Sequence, residues 1–178
     1  MLTFKHKQET SSLINNYIEN DRWLDAKRIL ESELVTYPTE YWLLTTLSNV
    51  YYELRDYKKA FEFSEKALSI APFDYLVLNN HACILSVLDG KENEAIKLLQ
   101  RIIRSKLSKI AYGDHGEGMR WAKSLVNDSR VRLALVYLSN NEKTKALKYL
   151  NDHLENRERG VFSNFSKKEI IKKKMAIK

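Results

Sequence analysis

Histidine and cysteine are the side chains through which this sequence could hold a metal ion or attack a substrate as a nucleophile. The chain has four histidines and a single cysteine: His6, His81, His115, His153 and Cys83. The histidines show no HExxH motif and no cysteine partner at the spacing of a zinc site. A zinc site needs such ligands, and a thiolate nucleophile needs a histidine that activates it. We therefore expect no metal site and no catalytic residue.

A glycine-rich stretch, GDHGEG at residues 113–118, is the other feature that could bind a charged ligand. Phosphate-binding loops combine such glycines with a lysine and a preceding β-strand. Both are missing here, so the sequence predicts no cofactor. We therefore interpret the protein as a non-enzyme. We expect His81 to be a packed residue of the core.

The composition indicates one soluble domain. Of the 178 residues, 44% are hydrophobic, which is enough for a buried core. A single cysteine excludes an internal disulfide framework and is typical of a reducing compartment. The N-terminal MLTFKHKQETSS lacks the apolar region of a secretory signal. The longest apolar run, Leu133–Leu138, has six residues, whereas a membrane span needs about 20. We predict a cytoplasmic protein without a membrane span.

Two stretches of the chain match when one is shifted by 34 residues along the other. The matching pairs are Tyr17 with Tyr51, Ala26 with Ala60, and Pro38 with Pro72. A fixed period of this length is typical of an array of helical hairpins, each of which buries its apolar face only against a neighbour. The proline ends the second helix of a hairpin, because it cannot continue the helical hydrogen bonds.

Residues 41–74 show the pattern most clearly, and they resemble the tetratricopeptide repeat over their whole length. The family requires large and small residues at fixed positions, and those positions hold Leu44, Leu47, Ser48, Tyr51, Tyr57, Ala60, Ala67 and Pro72. The resemblance implies an all-α fold, a right-handed α-solenoid of about four hairpins in a single domain, 1–178. The hairpins are expected at about 7–40, 41–74, 75–107 and 117–158.

The spacing between the third and fourth hairpins is longer than the period. Their equivalent small residues, Ala95 and Ala146, are 51 residues apart instead of 34. The glycines favour a loop over about 106–116, and the sequence is helical again from about Glu117. We therefore predict an extended first helix in hairpin 4, about three turns longer than its counterparts.

This extension could serve the fold or the function. It either covers the end of the array or projects as a wall beside a binding groove. The residues that would carry the second role lie on adjoining stripes of one helix. They are Arg120, Trp121, Ser124, Asn127 and Asp128.

In the tetratricopeptide family, the first helices of successive repeats line a concave face that binds partners. Carried over to this sequence, the resemblance selects as partner-binding candidates Asn15, Trp42, Asn49, Tyr52, Asn79 and Cys83. Trp42 and Tyr52 are expected to anchor the partner, since buried aromatic residues dominate interfaces. The asparagines could pair with a partner's backbone, or they could bond only within the array.

Chaperone adaptors of this family hold an acidic peptide with a clamp of lysine, arginine and asparagine. The corresponding positions here are Ser11, Asn15, Thr46, Leu76 and Asn80. The three cations of the clamp are missing, which argues against a chaperone-tail adaptor. A groove without basic residues is expected to show no preference for acidic peptides.

The basic character of the chain lies at its C-terminal end. Residues 157–178 carry eight basic and two acidic side chains, a net charge of +6 out of the chain's +7. Ser166 and Glu169 match a capping box, which predicts a C-terminal helix that caps the array. The basic tail, 159–178, either supplies the polar outer face of that cap or contacts nucleic acid or an anionic membrane.

The residues and the resemblance together predict a non-catalytic module that binds a peptide, helix or folded domain of another protein in its concave face. An alternative is a dedicated neutraliser of one cognate protein, such as an immunity protein against a toxin or a secretion chaperone. Nucleic-acid binding through the basic tail is a third and weaker hypothesis, because aromatic residues are not interleaved with its lysines. A homodimer is a further possible arrangement of this chain.

Overall fold

The computed structural model describes residues 3–113 and 116–177, which form α-helices and turns without a β-strand. The predicted all-α fold is confirmed. In chain order the helices are α1 (Phe4–Glu19), α2 (Trp23–Thr36), α3 (Tyr41–Glu53), α4 (Tyr57–Ile70), α5 (Tyr75–Leu85), α6 (Glu92–Arg104), α7 (Leu107–Ala111), α8 (Met119–Ser139), α9 (Lys143–Glu155) and α10 (Lys167–Ile177). Among these helices of the described residues, none is long and apolar enough to cross a membrane.

The helices group into two compact units, Met1–Phe73 and Asp74–Lys178, and each has its own core. Unit 1 contains α1–α4, and unit 2 contains α5–α10. A single domain over the whole chain stays a prediction.

Unit 1 consists of two helical hairpins. Helix α1 packs on α2, α2 on α3, and α3 on α4. Leu30, Leu43 and Leu47 are fully buried between these helices. Ala26 and Ala60, the small residues of the repeat pattern, are also fully buried. Because they have only a methyl group, the helices of each hairpin can approach closely.

The turn within three of the hairpins has one repeated structure. At its centre lies a residue with positive φ, which is Asp21 (55°), Arg55 (63°) or Asn141 (59°). The amide of the next residue then donates to the carbonyl of a tyrosine in the first helix. The pairs are Arg22 N to Tyr17 O (2.8 Å), Asp56 N to Tyr51 O (2.9 Å) and Glu142 N to Tyr137 O (2.7 Å). The sequence period is therefore visible in the backbone geometry as well.

Helix α8 is the centre of unit 2, where it packs against α5, α6, α7 and α9. With 21 residues it is longer than α3, which has 13, and α5, which has 11. Helix α10 packs on α9, as expected for a capping helix. The capping box forms as well, since Ser166 N donates to Glu169 Oε2 (2.7 Å) and Glu169 N donates to Ser166 Oγ (3.2 Å).

The segment predicted as a loop, 106–116, differs from that prediction because it contains the short helix α7. Ile110 and Ala111 of α7 are buried, and α7 packs on α8. A methyl group on Gly116 would lie 2.2 Å from the Ala111 carbonyl oxygen, so only glycine fits there. Gly118, with φ of 90°, donates its N–H to the same oxygen at 3.0 Å. The glycines thus fold the end of α7 back onto the start of α8.

Candidate functional site

Helix α3 leaves one stripe of its surface accessible. After Tyr41, its half-buried residues are Trp42, Thr46, Asn49 and Tyr52. The side chains between them are buried, and α2 and α4 pack on this helix. A spacing of three to four residues places side chains on one face of a helix. Three of the predicted partner-binding residues, Trp42, Asn49 and Tyr52, therefore share the accessible face of α3.

Trp42 is contacted by a side chain from α1. The Nζ atom of Lys7 lies 5.5 Å from the centroid of the Trp42 ring, a cation–π contact that links α1 to α3. The indole Nε1 is buried and has no hydrogen-bond partner among the described residues. A buried donor without an acceptor costs about 1–3 kcal/mol. Lys7 was not predicted from the sequence, because it lies outside the repeat positions that the family uses for partners.

Tyr52 is held in place by the turn that follows α3. Its ring lies 5.5 Å from that of Tyr57, in a tilted arrangement. The Tyr57 hydroxyl in turn accepts a hydrogen bond of 2.7 Å from Nη1 of Arg55. Because the turn fixes Tyr57, the half-buried ring of Tyr52 keeps a defined orientation at the end of the stripe.

Asn15 on α1 and Asn49 on α3 each follow one residue of the Lys7–Trp42 contact by about two helical turns. Helices α1 and α3 run in the same direction, because α2 turns the chain back between them. Asn15 follows Lys7 by eight residues, and Asn49 follows Trp42 by seven. Asn15 is exposed and Asn49 is half-buried, and neither side chain forms a hydrogen bond with the described residues. Both amides therefore keep donors and acceptors for another molecule.

Unit 2 has a comparable stripe on α5. Leu76 is 44% exposed, Val87 beyond the helix end is 40% exposed, and Asn79 and Cys83 are half-buried between them. The Asn79 side-chain oxygen accepts a hydrogen bond of 3.2 Å from Ser129 Oγ on α8, so this asparagine bonds within its own unit. Burial raises the pKa of the Cys83 thiol, which keeps it protonated near neutral pH. A protonated thiol is a poor nucleophile.

Arg132 on α8 is a second residue of this surface that was not predicted from the sequence. Helix α8 packs on α5, and the positive charge of Arg132 acts against the rise in the pKa of Cys83. The guanidinium lies 5.7 Å from the ring centroid of Phe165. Its Nε atom is buried without a hydrogen-bond partner in the described part of the chain. In the sequence, Arg132 is a basic residue one helical turn after Asp128. It lies at a repeat position that the family does not use for partners.

Asn127 and Asp128 require a correction. Both are 4% exposed, and both use their side chains inside unit 2. Asn127 Nδ2 donates to the carbonyl of His153 at 3.2 Å. Asp128 accepts hydrogen bonds from Ser163 Oγ (2.5 Å), Asn164 N (2.8 Å) and Asn164 Nδ2 (2.8 Å). Asn127 thus links α8 to α9, and Asp128 holds Ser163 and Asn164 against α8. We assign both residues to the interior instead of the partner surface.

His153 belongs to the same internal network. Its Nδ1 atom lies 3.0 Å from the carbonyl oxygen of Asn127, and its Nε2 atom lies 3.2 Å from Nη1 of Arg157. Nε2 must accept there, because the guanidinium can only donate, so the neutral ring donates from Nδ1. Burial lowers the pKa of His153, and the nearby Arg157 acts in the same direction. Within the described residues, no three His, Cys, Asp or Glu side chains are grouped as metal ligands.

Arg120 and Trp121 lie in the first turn of α8. Arg120 is exposed and Trp121 is half-buried. The next residues, Ala122, Leu125 and Val126, are buried, and α7 packs on this helix. The extension of α8 thus contributes to the core of unit 2. Contact of Arg120 and Trp121 with a partner stays a prediction.

These hairpins, with an accessible stripe on α3 and on α5, define a helical-repeat protein. Residues 43–74 match the family model of the tetratricopeptide repeat. The resemblance found in the sequence is therefore confirmed, and the chain contains a tetratricopeptide repeat formed by α3 and α4. Because this repeat is a scaffold for binding proteins, the match supports a protein–protein interaction module.

Solved structures agree with this fold. The chain is similar to PilW, described as a widely conserved type IV pilus biogenesis factor, with a TM-score of 0.68 and 17% identity over 86% of this chain and 63% of that chain. It thus spans less than two thirds of the PilW chain. It is also similar to a MamA RS-1 ArsTM double mutant, with a TM-score of 0.59 and 15% identity over 88% of this chain and 77% of that chain. At these identities the likeness concerns the fold alone. No curated protein matches the sequence.

Proposed function

We propose that the protein binds an extended or helical segment of a partner protein on the surface formed by α1 and α3 of unit 1. The observation that carries this proposal is the burial and hydrogen bonding of Trp42. Its ring is half-buried and contacted by Lys7, and its N–H group has no acceptor among the described residues. A partner that displaces the flexible Lys7 side chain can cover the ring and supply a carbonyl to the indole.

The neighbouring side chains suit a protein segment as well. Tyr52 offers a second aromatic ring whose orientation is already fixed, so little conformational entropy is lost when a partner packs on it. Asn15 and Asn49 can pair with backbone N–H and C=O groups, whatever the side chains of the partner. Unit 2 has an exposed apolar surface of its own at Leu76 and Val87.

Photo-crosslinking in the native cell tests this proposal. A photoreactive residue in place of Asn49 should capture one partner, whereas the same residue in place of the exposed Glu62 on α4 should not. Affinity purification at low and high salt then tests whether that partner is retained in stoichiometric amount. One retained partner favours a dedicated neutraliser, and several weak partners favour a general adaptor.

A matched pair of variants measures the contribution of the aromatic anchors. Loss of each ring in the double variant Trp42→Ala, Tyr52→Ala should weaken binding of the captured partner about thirtyfold, since anchors of this kind contribute about 2 kcal/mol each. The control is Phe73→Ala with Tyr112→Ala, because both rings are more than two-thirds exposed, at 75% and 72%. Unchanged affinity in the first variant would place the partner elsewhere.

A further inference from the structure

Helix α10 has one face buried in unit 2 and an opposite face that faces solvent. Ile170 is fully buried and Ile177 is 8% exposed, and α10 packs on α9. Successive residues of an α-helix are rotated by about 100°. Lys168, Lys172 and Met175 therefore lie opposite the two buried isoleucines, and Ile171 lies beside them.

The outer face of α10 combines apolar and basic side chains. Met175 is 68% exposed and Ile171 is 36% exposed. Lys168 and Lys172 are exposed, and no carboxylate among the described residues forms an ion pair with either of them. The outer face therefore carries two neighbouring positive charges with an apolar pair beside them.

The acidic residue of α10 does not neutralise this surface. Glu169 accepts the backbone N–H of Ser166 at the start of the helix, in the capping box. Its carboxylate is thereby held at the N-terminal end, where it also stabilises the helix. Because α10 is already folded on α9, a ligand of its outer face does not have to order a disordered segment.

This combination of side chains distinguishes between two anionic partners. Nucleic acid would pair its phosphates with Lys168 and Lys172, but Ile171 and Met175 would then face the same charged backbone without an apolar counterpart. A lipid bilayer offers phosphates at its surface and apolar acyl chains directly below them. Helix α10 thus fits the boundary between the headgroups and the acyl chains.

We propose that the outer face of α10 binds the surface of a bilayer that contains anionic lipids. Lys168 and Lys172 lie at the lipid phosphates, and Ile171 and Met175 reach the upper part of the acyl chains. The contact is peripheral, with α10 lying along the interface. It uses a surface of unit 2 separate from the α1–α3 surface, and it does not depend on the proposed function.

Co-sedimentation of the full chain with vesicles tests the proposal. The protein should sediment with vesicles of phosphatidylcholine and phosphatidylglycerol at low salt, and it should stay in solution with phosphatidylcholine alone. Lys168→Gln with Lys172→Gln should lower the partition coefficient about 25-fold, at about fivefold for each lysine near an anionic surface. The matched control, Lys58→Gln with Lys97→Gln, removes two exposed lysines elsewhere and should change it less than twofold.

The apolar pair separates the bilayer from nucleic acid. Ile171→Ser with Met175→Ser should lower the partition onto the anionic vesicles about tenfold and leave retention on heparin unchanged. The matched control is Leu24→Ser with Val35→Ser, which changes two exposed apolar residues of α2 and should have no effect. Circular dichroism of each variant confirms that its helices are intact. Binding to heparin or RNA without binding to the vesicles would overturn the proposal, and so would a vesicle affinity that only the lysine variant lowers.

Discussion

The carboxylate of Asp128 on α8 should be the main attachment for the C-terminal segment, which is the stretch between α9 and α10 that contains Ser163 and Asn164. It is 4% exposed and accepts hydrogen bonds from Ser163 Oγ, Asn164 N and Asn164 Nδ2 at 2.5, 2.8 and 2.8 Å. A hydrogen bond to a charged group contributes about 1.5–3 kcal/mol. The three share one carboxylate, so their contributions are not additive. Removal of the carboxylate also removes the cost of burying it.

We therefore expect Asp128→Ala to lower the free energy of unfolding by about 2–4 kcal/mol. Ser163→Ala removes one of the three bonds and should cost about 1 kcal/mol. Asp128→Asn keeps the shape and one acceptor oxygen, but its NH₂ group meets the donors of Asn164, and an intermediate loss is expected. Urea unfolding measures all three values, and their order is as informative as their size.

Trypsin provides a second readout that is local to the segment. Arg159 and Lys167 lie on either side of Ser163 and Asn164, and both are exposed. Cleavage requires the segment to leave α8, so its rate follows the population of the detached state. A loss of 2 kcal/mol corresponds to about a thirtyfold faster cleavage. If Asp128→Ala cleaves at the wild-type rate and unfolds at the wild-type urea concentration, the reasoning from buried hydrogen bonds is refuted.

Two further predictions concern pH and backbone packing. The pKa of His153 is lowered in the folded protein, so the unfolded chain binds a proton more readily than the folded one. The contribution of His153 to stability is therefore complete above the unfolded pKa of about 6.5 and falls as the pH decreases below it. Urea unfolding at several pH values should show this slope, and His153→Gln should reduce it; the remaining slope is assigned to His81, whose pKa is also lowered by burial. Gly116→Ala should lower the melting temperature by several degrees, since the added methyl group meets the Ala111 carbonyl oxygen at 2.2 Å, and scanning calorimetry measures the shift.

Local patterns in the sequence were sufficient to predict the hairpins. The spacing of tyrosine, alanine and proline in residues 41–74 fixes where α3 and α4 begin, where they pack and where they end. The capping box at Ser166 likewise predicted the start of α10, because both partners lie within one turn. In each case the interactions that decide the structure join residues close to each other in the chain.

Contacts between distant parts of the chain could not be predicted in this way. Asp128 and Ser163 are 35 residues apart, and no local pattern indicates that they meet. Lys7 and Trp42 are equally distant, so the cation over the indole was missed. Helix α7 was missed for a different reason, since a helix of five residues just before a glycine-rich stretch has too few turns to show a period.

The error at Asp128 follows from its place in the repeat series. It occupies the same repeat position as Trp42 and Leu76, which the family pattern assigns to the partner-facing surface. In α3 and α5 that position is accessible, because the second helix of each hairpin, α4 or α6, packs on a different side of the first helix. After hairpin α8–α9, the segment that contains Ser163 and Asn164 folds back over α8. A buried carboxylate at this position is stable only because Ser163 and Asn164 supply hydrogen-bond donors, so the same position serves the fold in α8 and remains available to a partner in α3.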